Sequence, residues 1–383
     1  LHGAAHARER HLDADDAIKA IVIHCDGRTF FAGADIREFN APPAPPYLGD
    51  LIDRIEQSSK PVVAALHGTA LGGGCEVALG CHFRIIDENG KMGLPEVKLG
   101  LLPGAGGTQR LPRVIGARKA AEMVVSGDPV GAGFAVDSGL ADRMASGDIK
   151  QAAIGYAREV VAQNLPAEPV SARQVALEVD RADLAAFDEF AAGLLQRKRG
   201  FHAPKRCVDS VRNALTMDFA DGTKAERGYF MELKDGSQSA AQRHLFFAER
   251  AALKVEGVEK DTPTTPVKAA AVLGAGTMGG GIAMCFANAG IPVTMIDPNA
   301  EALERGLGIV RGNYERSTKR AGRDAAWVDQ RMALITPQTD MEKTADVDLV
   351  VEAVFEDMAL KKQIFADLDR ITDFERVART EQH

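Results

Sequence analysis

The chain has 383 residues, a formal net charge of −8 and an isoelectric point near 5.7. This acidic balance argues against a nucleic-acid-binding protein, which would carry a basic patch. The five cysteines are scattered and form no C-x-x-C pair, so neither a disulfide framework nor a structural zinc site is expected. Apolar runs stay well short of about 18 residues, so no membrane span is predicted. A chain of this length is expected to form two or three domains.

Apolar runs that alternate with helical patterns predict an α/β fold for the first part of the chain. Residues 20–25, 61–66 and 83–86 are short apolar runs typical of buried strands. Between the last two, Leu71-Gly72-Gly73-Gly74-Cys75-Glu76 predicts a sharp glycine turn and the start of a helix. Further helices are predicted at 114–126 and 132–138, after a glycine-rich loop at 102–109. Strands that alternate with helices in this way favour an α/β domain.

Strand signals nearly vanish between residues 149 and 258. Helices are predicted at 152–164, 204–217 and 238–255, joined by a polar segment rich in arginine and lysine near 197–205. The stretch Asp261-Thr262-Pro263-Thr264-Thr265-Pro266 predicts a domain boundary. We therefore expect a first domain at 1–190, a helical linker at 191–265 and a second domain at 266–383.

A second βαβ unit opens at residue 267. A predicted strand at 267–273 leads into Gly274-Ala275-Gly276-Thr277-Met278-Gly279 and a helix. The next strand, 293–297, ends at Asp297. In this context G-x-G-x-x-G predicts a dinucleotide-binding loop. Gly274 would make the turn, Gly276 would admit the pyrophosphate and Gly279 would let helix and strand pack closely. Asp297 would bind the ribose hydroxyls, which favours NAD over NADP. A strand at 348–352 and a helix at 360–371 follow.

Two acidic residues accompany two candidate backbone donors in the first domain. Glu76 ends the glycine turn, and Glu96 follows it twenty positions later. Free amide groups in the glycine turn, and in a second bent stretch at Ala32-Gly33-Ala34-Asp35, could hold a thioester oxygen as it gains negative charge. The two carboxylates could then move protons on the adjacent carbons. An isolated glycine turn is more often structural, so the prediction depends on this combination.

Four ordered motifs within residues 12–190 resemble the enoyl-CoA hydratase (crotonase) family. They are Phe31-Ala32-Gly33-Ala34-Asp35, His67-Gly68-Thr69-Ala70-Leu71-Gly72-Gly73-Gly74-Cys75-Glu76, Pro95-Glu96 and Leu102-Pro103-Gly104-Ala105-Gly106-Gly107-Thr108-Gln109-Arg110-Leu111. The resemblance implies a crotonase-like ββα spiral and an oxyanion hole formed by the amides of Ala34 and Gly73. It also implies that Glu76 and Glu96 hold a water molecule. In the family's usual assignment Glu76 activates the water and Glu96 protonates Cα, but the sequence alone leaves the two roles open.

The presence of both acids favours hydration of trans-2-enoyl-CoA to 3-hydroxyacyl-CoA. Family members that only shift a double bond generally keep one acid at these positions, so an enoyl-CoA isomerase is the alternative. Coenzyme A would enter as part of the substrate. The implied partners are enoyl-CoA and 3-hydroxyacyl-CoA thioesters; the resemblance implies no metal site and leaves self-association open.

Residues 272–297 and 350–357 resemble the NAD-binding domain of 3-hydroxyacyl-CoA dehydrogenases, which is a Rossmann-type fold. The resemblance implies that the loop with Thr277 and Met278 binds NAD and that Ala353, Glu356 and Lys361 lie along its nicotinamide side. A hydratase domain, a helical linker and this domain are the order found in multifunctional enzymes of fatty-acid β-oxidation. Such an enzyme would be cytoplasmic in a bacterium and peroxisomal in a eukaryote.

The resemblance further implies that the chain is an internal piece of a longer enzyme. The family's first strands are not recognised, nor are its Asn-Thr-Ser segment and catalytic His–Glu pair, and residues 372–383 match nothing in the pattern. We therefore expect the hydratase half to keep its chemical groups and the dehydrogenase half to lack its catalytic residues in this chain. An inactive fragment that binds acyl-CoA or NAD is the alternative.

Overall fold

The structure of the chain is a computed structural model, which describes residues 13, 15–33, 35–37, 45, 47–259, 261–264, 266–321, 323–372 and 378–380. The chain divides into two compact units, Leu1–Glu256 and Gly257–His383. The division into domains at 1–190 and 266–383 with a linker between them is finer than these units and stays a prediction. Among the described helices, none is both long and apolar enough to cross a membrane.

Two small sheets form the frame of the first unit. A parallel sheet has the strand order β1-β2-β4-β7, and a smaller one has the order β3-β5-β6, in which β6 runs antiparallel to β5. The strands are β1 (Ile21–Ile23), β2 (Val62–Leu66), β3 (Thr69–Leu71), β4 (Phe83–Asp87), β5 (Lys91–Gly93), β6 (Val130–Gly131) and β7 (Arg143–Ala145).

Helices pack on the sheets and extend the unit beyond them. In chain order they are α1 (Leu48–Glu56), α2 (Gly73–Gly80), α3 (Gly107–Ile115), α4 (Ala117–Ser126), α5 (Ala132–Asp137), α6 (Ile149–Ala162), α7 (Glu178–Ala182), α8 (Leu184–Gln196), α9 (Ala203–Thr216), α10 (Phe219–Lys234) and α11 (Ser237–Ala252). Short 3₁₀ helices occur at Pro95–Leu99, Val170–Ala172 and Val175–Leu177.

Strand β2 is buried on both faces, which explains its uninterrupted apolar sequence. Successive side chains of a strand point to opposite faces. Val62, Ala64 and Leu66 belong to the larger core, which also takes in α1 to α4 and α9. Val63 and Ala65 belong to a second core closed by α6. The predicted strand at 61–66 is confirmed, and β2 leads through β3 to the glycine turn at the start of α2.

The helical part of the chain contains more helices than the sequence predicted. The predicted helices at 204–217 and 238–255 correspond to α9 and α11, but α8 and α10 were not predicted. The prediction of a single helix at 114–126 is wrong, because Gly116 ends α3 and a separate helix, α4, begins at Ala117. The predicted loop at 102–109 ends earlier, since α3 already begins at Gly107.

The second unit is built on a parallel sheet with helices on both faces. Its strand order is β10-β9-β8-β11-β12, formed by β8 (Ala270–Leu273), β9 (Val293–Ile296), β10 (Ile335–Gln338), β11 (Leu349–Glu352) and β12 (Ala378–Thr380). Its helices are α12 (Thr277–Asn288), α13 (Ala300–Ala321), α14 (Ala325–Met332) and α15 (Met358–Ile371). The predicted β8, β9 and β11 are confirmed, whereas β10, α14 and β12 were not predicted.

The strand order of the second unit reverses beside β8. The chain runs from β8 to β9 and β10 on one side, then returns to add β11 on the other. Ala270 and Val272 of β8 pack against α12 and α13, and Ala271 and Leu273 pack on the opposite face, where Leu368 of α15 lies. Ligands of such sheets bind beyond the carboxyl ends of the strands at the point of reversal.

Candidate active site

The glycine turn brings backbone and acid together at the start of α2. Gly72 has φ +54°, a conformation that side chains with a Cβ rarely adopt, and its own Cβ would lie 3.1 Å from Oε1 of Glu96. Gly73 is the first residue of α2, where amide groups have no partner within the helix. Ala34, the second predicted oxyanion donor, lies outside the described residues. The neighbouring Gly33 and Gly73 both line the same cavity.

Glu76 is buried one turn into α2 and is held by a loop. Its Oε1 accepts hydrogen bonds from the amides of Ala105 (2.8 Å) and Gly107 (2.9 Å). Burial raises the pKa of Glu76, and the two amides act in the opposite direction because they stabilise the carboxylate. Glu76 therefore has dedicated donors for its charged form at the N-terminus of α3.

Glu96 lies in the 3₁₀ helix that follows β5 and has a different environment. Its Oε2 is buried and makes no hydrogen bond within the described part of the chain. Burial, followed by the charge of Glu76, raises the pKa of Glu96 well above the usual value. A carboxyl group in such a site favours its protonated form. The structure thus brings the two predicted acids to one cavity and gives them unequal surroundings.

A cavity of about 1200 Å³ contains both acids and the glycine turn. Its wall also includes basic and aromatic side chains that the sequence analysis did not select. They come mainly from α10 and α11: Lys98, Phe201, Arg227, Phe230, Lys234, Phe246 and Arg250. The predicted basic segment near 197–205 contributes only Phe201 to this wall. Except for Lys98, these residues lie in the segment 191–265 that the sequence predicts to be a helical linker, and a linker is not expected to line a site.

A third buried carboxylate, Glu226 of α10, contacts the loop that holds Glu76. Its Oε1 accepts from the amide of Gly106 (2.6 Å), and its Oε2 accepts from the amide of Thr108 (2.8 Å). Its side chain is fully buried. Burial and then the charge of Glu76 raise the pKa of Glu226 to about 8. The one local signal was Asp218, which accepts from the amide of Asp221 and marks the start of α10.

The glycine loop of the second unit lies at the edge predicted for a dinucleotide. Gly274 follows β8, and its Cβ would lie 2.5 Å from the carbonyl oxygen of Ala353, which follows β11. A Cβ at Gly279 would lie 1.9 Å from the carbonyl oxygen of Gly274. Both positions therefore require glycine for close packing of the loop. A Cβ added at Gly276 would meet no atom within 4 Å, and Thr277 and Met278 are exposed at the start of α12.

Asp297 closes the glycine loop from the end of β9. Its Oδ2 accepts from the amide of Ala275 (3.0 Å), and its Oδ1 accepts from Asn299 (2.9 Å). The open backbone at Gly276, the helix start beside it and the carboxylate of Asp297 fit the pyrophosphate and ribose of a dinucleotide. These are the groups that the sequence predicts to bind NAD, and their role stays a prediction.

The remaining predicted cofactor residues cluster after β11. Lys361 of α15 forms ion pairs with Glu356 (2.9 Å) and with the buried Glu352 (3.3 Å). The hydrogen bond with Glu356, with a further contribution from Glu352, raises the pKa of Lys361. The amide of Ala353 donates to the carbonyl oxygen of Leu273 (2.8 Å), so these residues are tied to the end of β8.

Family models match both units. The model of enoyl-CoA hydratase/isomerase matches residues 9–215, and the model of the 3-hydroxyacyl-CoA dehydrogenase NAD binding domain matches residues 269–380. The second match continues past Ile371, so the expectation that the family pattern stops there is wrong.

Similar curated proteins share both regions with this chain. The chain is 40% identical over 377 residues to the peroxisomal bifunctional enzyme of Danio rerio, an alignment that covers 97% of this chain and 51% of that protein. It is 38% identical over 380 residues to the enzyme of the same name from Cavia porcellus, with 97% and 52% covered. It is 36% identical over 372 residues to the fatty acid oxidation complex subunit alpha of Shewanella sp. (strain ANA-3), with 93% and 52% covered.

The chain spans about half the length of the curated relatives it matches. The hydratase/isomerase model alone covers more than half of its 383 residues. The chain therefore belongs to the enoyl-CoA hydratase/isomerase family.

Proposed function

We propose that the first unit hydrates trans-2-enoyl-CoA to 3-hydroxyacyl-CoA in fatty-acid β-oxidation. The observation that carries this proposal is the pair of acids, Glu76 and Glu96, in one cavity with the amide-bearing turn at Gly73. Glu76 is buried, and so is the Oε2 atom of Glu96. Hydration needs one group that takes a proton from water and one that gives a proton to carbon. Two carboxyl groups with different proton affinities meet that need.

The surroundings of the two acids support one assignment of roles. Glu76 is stabilised as a carboxylate by the amides of Ala105 and Gly107, so it takes the proton from the attacking water as oxygen bonds to Cβ. Glu96, whose pKa lies well above the usual value, is protonated and gives its proton to Cα. The amide of Gly73 stabilises the thioester oxygen as it becomes negative. Transfer of one proton from Glu76 to Glu96 restores the starting state.

The cavity wall supports an acyl-CoA thioester as the substrate. Lys98, Arg227, Lys234 and Arg250 supply positive charge in an otherwise acidic chain, and we assign them to the phosphates of coenzyme A. Phe230 and Phe246 supply apolar surface on the same wall. Arg227 and Arg250 lie over these two rings, 5.1 Å and 3.3 Å from their centres.

We propose that the second unit binds NAD and forms the NAD-binding half of a 3-hydroxyacyl-CoA dehydrogenase. When bound, NAD supplies the hydride acceptor for oxidation of a hydroxyl group. The backbone at Gly276 and Thr277 would hold the pyrophosphate, and Asp297 would hold the ribose hydroxyls. Ala353, Glu356 and Lys361 would lie along the nicotinamide side. For the compartment we propose the bacterial cytoplasm or, in a eukaryote, the peroxisome, which cell fractionation tests.

The hydratase proposal is tested with crotonyl-CoA and the purified chain. We expect the conjugated enoyl-thioester absorbance to fall, and Glu76→Gln and Glu96→Gln each to lower kcat by about 10²–10⁴-fold. Glu88→Gln, at an exposed glutamate between the two, is the control and should keep the rate. An unchanged rate in Glu96→Gln contradicts the assignment. A folded wild-type chain without turnover favours an acyl-CoA-binding fragment, and double-bond migration without hydration favours an isomerase.

The NAD proposal is tested separately by titrating the chain with NADH and following its fluorescence. Asp297→Asn should weaken binding by about tenfold, because a charged acceptor for the ribose hydroxyls is lost. Asp369→Asn, at an exposed position on α15, should not change binding. Equal affinity in Asp297→Asn and wild type contradicts the assigned role of Asp297.

A further inference from the structure

Two buried carboxylates divide the amide groups at the start of α3 between them. Along the loop, Ala105 and Gly107 donate to Glu76, and Gly106 and Thr108 donate to Glu226. Four successive amides thus alternate between an acid of the candidate active site and an acid 120 positions away from Gly106 on α10. The loop cannot shift toward one carboxylate without lengthening its bonds to the other.

Additional contacts fix the Glu226 side of this loop. The hydroxyl of Thr108 lies 2.5 Å from Oε2 of Glu226 and 2.6 Å from the hydroxyl of Ser210 on α9. The side-chain amide of Gln109 donates to the carbonyl oxygen of Ser210 (2.7 Å). Among the described residues, no hydrogen bond joins Glu76, Ala105 or Gly107 to α9 or α10. Glu226 therefore joins α10 by hydrogen bonds to the loop whose other amides hold Glu76.

Glu226 also interacts with other ionisable groups through its charge. As a carboxylate it raises the pKa of Glu96 and the pKa of the Cys207 thiol. The charge of Glu76 in turn raises the pKa of Glu226. The cations that act on this group of acids are Arg110 and Arg227, which lower the pKa of Glu76. The protonation state of Glu226 is thus coupled to both proton-handling acids.

We propose that Glu226 is a positioning residue of the hydratase site, which holds the 105–108 loop so that its amides meet Glu76 and which places a third carboxylate beside the two proton-handling acids. The inference rests on the proposed hydration. It adds a residue that does not line the cavity and that acts through Glu76 and Glu96 rather than on substrate.

The kinetic test compares the pH profiles of kcat/KM for crotonyl-CoA in the full chain and its variants. Glu226→Gln keeps the shape of the side chain but never carries charge. We expect its rate at pH 6.5 to stay within about threefold of wild type and its alkaline limb to move to lower pH by about half a unit or more, because Glu96 loses a charged neighbour. Glu226→Ala should lower kcat by about tenfold or more at every pH, with a smaller effect on KM.

Glu232→Gln, at an exposed position on the same helix, is the matched control and should leave the profile unchanged. An unshifted alkaline limb in Glu226→Gln, or wild-type kcat in Glu226→Ala, overturns the proposal. If Glu226→Ala does not fold by circular dichroism, the Glu226→Gln profile decides alone.

Hydrogen exchange separates this proposal from the proposed function, because it needs no turnover. In Glu226→Ala the amides of Gly106 and Thr108 lose their acceptor, and those of Ala105 and Gly107 should also exchange faster if Glu226 positions the loop for Glu76. In Glu226→Gln the carboxamide keeps one acceptor oxygen, so one of Gly106 and Thr108 should exchange faster while Ala105 and Gly107 stay protected. Wild-type protection of Ala105 and Gly107 in a folded Glu226→Ala chain overturns the proposal. A wild-type chain without hydration but with the expected exchange pattern contradicts only the proposed function.

Discussion

Replacement of Glu226 by glutamine is expected to stabilise the first unit at alkaline pH. The pKa of Glu226 is about 8, against 4.5 for an ordinary glutamate, and each pH unit of such a difference corresponds to about 1.4 kcal/mol. The folded protein therefore holds this proton at pH values where the unfolded chain has released it. The contribution of Glu226 to the free energy of unfolding is fully present below about pH 4.5 and is lost as the pH rises toward 8.

The size of the effect follows from the difference between the pKa of Glu226 in the folded protein and that of an ordinary glutamate. Ionisation of Glu226 in the folded protein costs on the order of 5 kcal/mol above pH 8, a cost that glutamine does not carry. We expect the difference between the two free energies of unfolding to be constant below about pH 4.5, where it reflects the acceptor that glutamine lacks. Above that pH the difference should shift in favour of the glutamine variant by about 1.4 kcal/mol per pH unit, and it should be constant again above pH 8. Glu76 and Glu96 contribute slopes of the same sign in both proteins, so the difference reports residue 226 together with its coupling to these two acids.

The assay must separate the two units, because a chain with two units need not unfold in one step. The chain contains one tryptophan, Trp327, which lies in the second unit. Urea unfolding followed by far-UV circular dichroism detects both units, and tryptophan fluorescence detects the second. The fluorescence transition should be the same in both proteins at every pH. A stability difference that stays constant between pH 5 and 8 would refute the reasoning.

Three further substitutions test other parts of the two sites. Gly72→Ala should lower hydratase kcat by about tenfold or more, because alanine rarely adopts φ +54° and its Cβ would lie 3.1 Å from Oε1 of Glu96; unchanged kcat contradicts this. Lys234→Ala should raise KM for crotonyl-CoA by about fivefold with little change in kcat, as for a lost phosphate contact; an effect on kcat alone contradicts it. Gly279→Ala should abolish NADH binding and leave hydration intact, since its Cβ would lie 1.9 Å from the carbonyl of Gly274; retained binding contradicts it.

The parts of the site that the sequence predicted are those written in short local patterns. An apolar run, a glycine turn and a helix start lie within 61–80, so β2, α2 and the position of Glu76 on α2 followed from neighbouring residues alone. The same holds for β8, the loop at 274–279 and β9. Their geometry depends on backbone conformations that glycine allows and on burial that apolar runs reveal.

The parts that could not be predicted depend on contacts between distant residues. Glu226 lies on α10, a helix whose apolar pattern is weak and whose partner amides are more than a hundred positions away. No local rule links a glutamate on one helix to a glycine loop before another. The basic and aromatic wall of the cavity was missed for the same reason, since α10 and α11 line the site only after the chain has folded back. Ala34 stays a prediction, because it lies outside the described residues.

The difference between Glu76 and Glu96 can be traced to the loop rather than to the acids themselves. Glu76 and the Oε2 atom of Glu96 are buried, and both side chains face the same cavity, so burial raises the pKa of each acid. Glu76 accepts from two amides of the loop, whereas Oε2 of Glu96 has no hydrogen-bond partner among the described residues. The amides lower the proton affinity of one acid and leave that of the other high. Because Glu226 accepts from the alternate amides of the same loop, Gly106 and Thr108, the contrast between base and acid depends on a helix that the sequence did not predict.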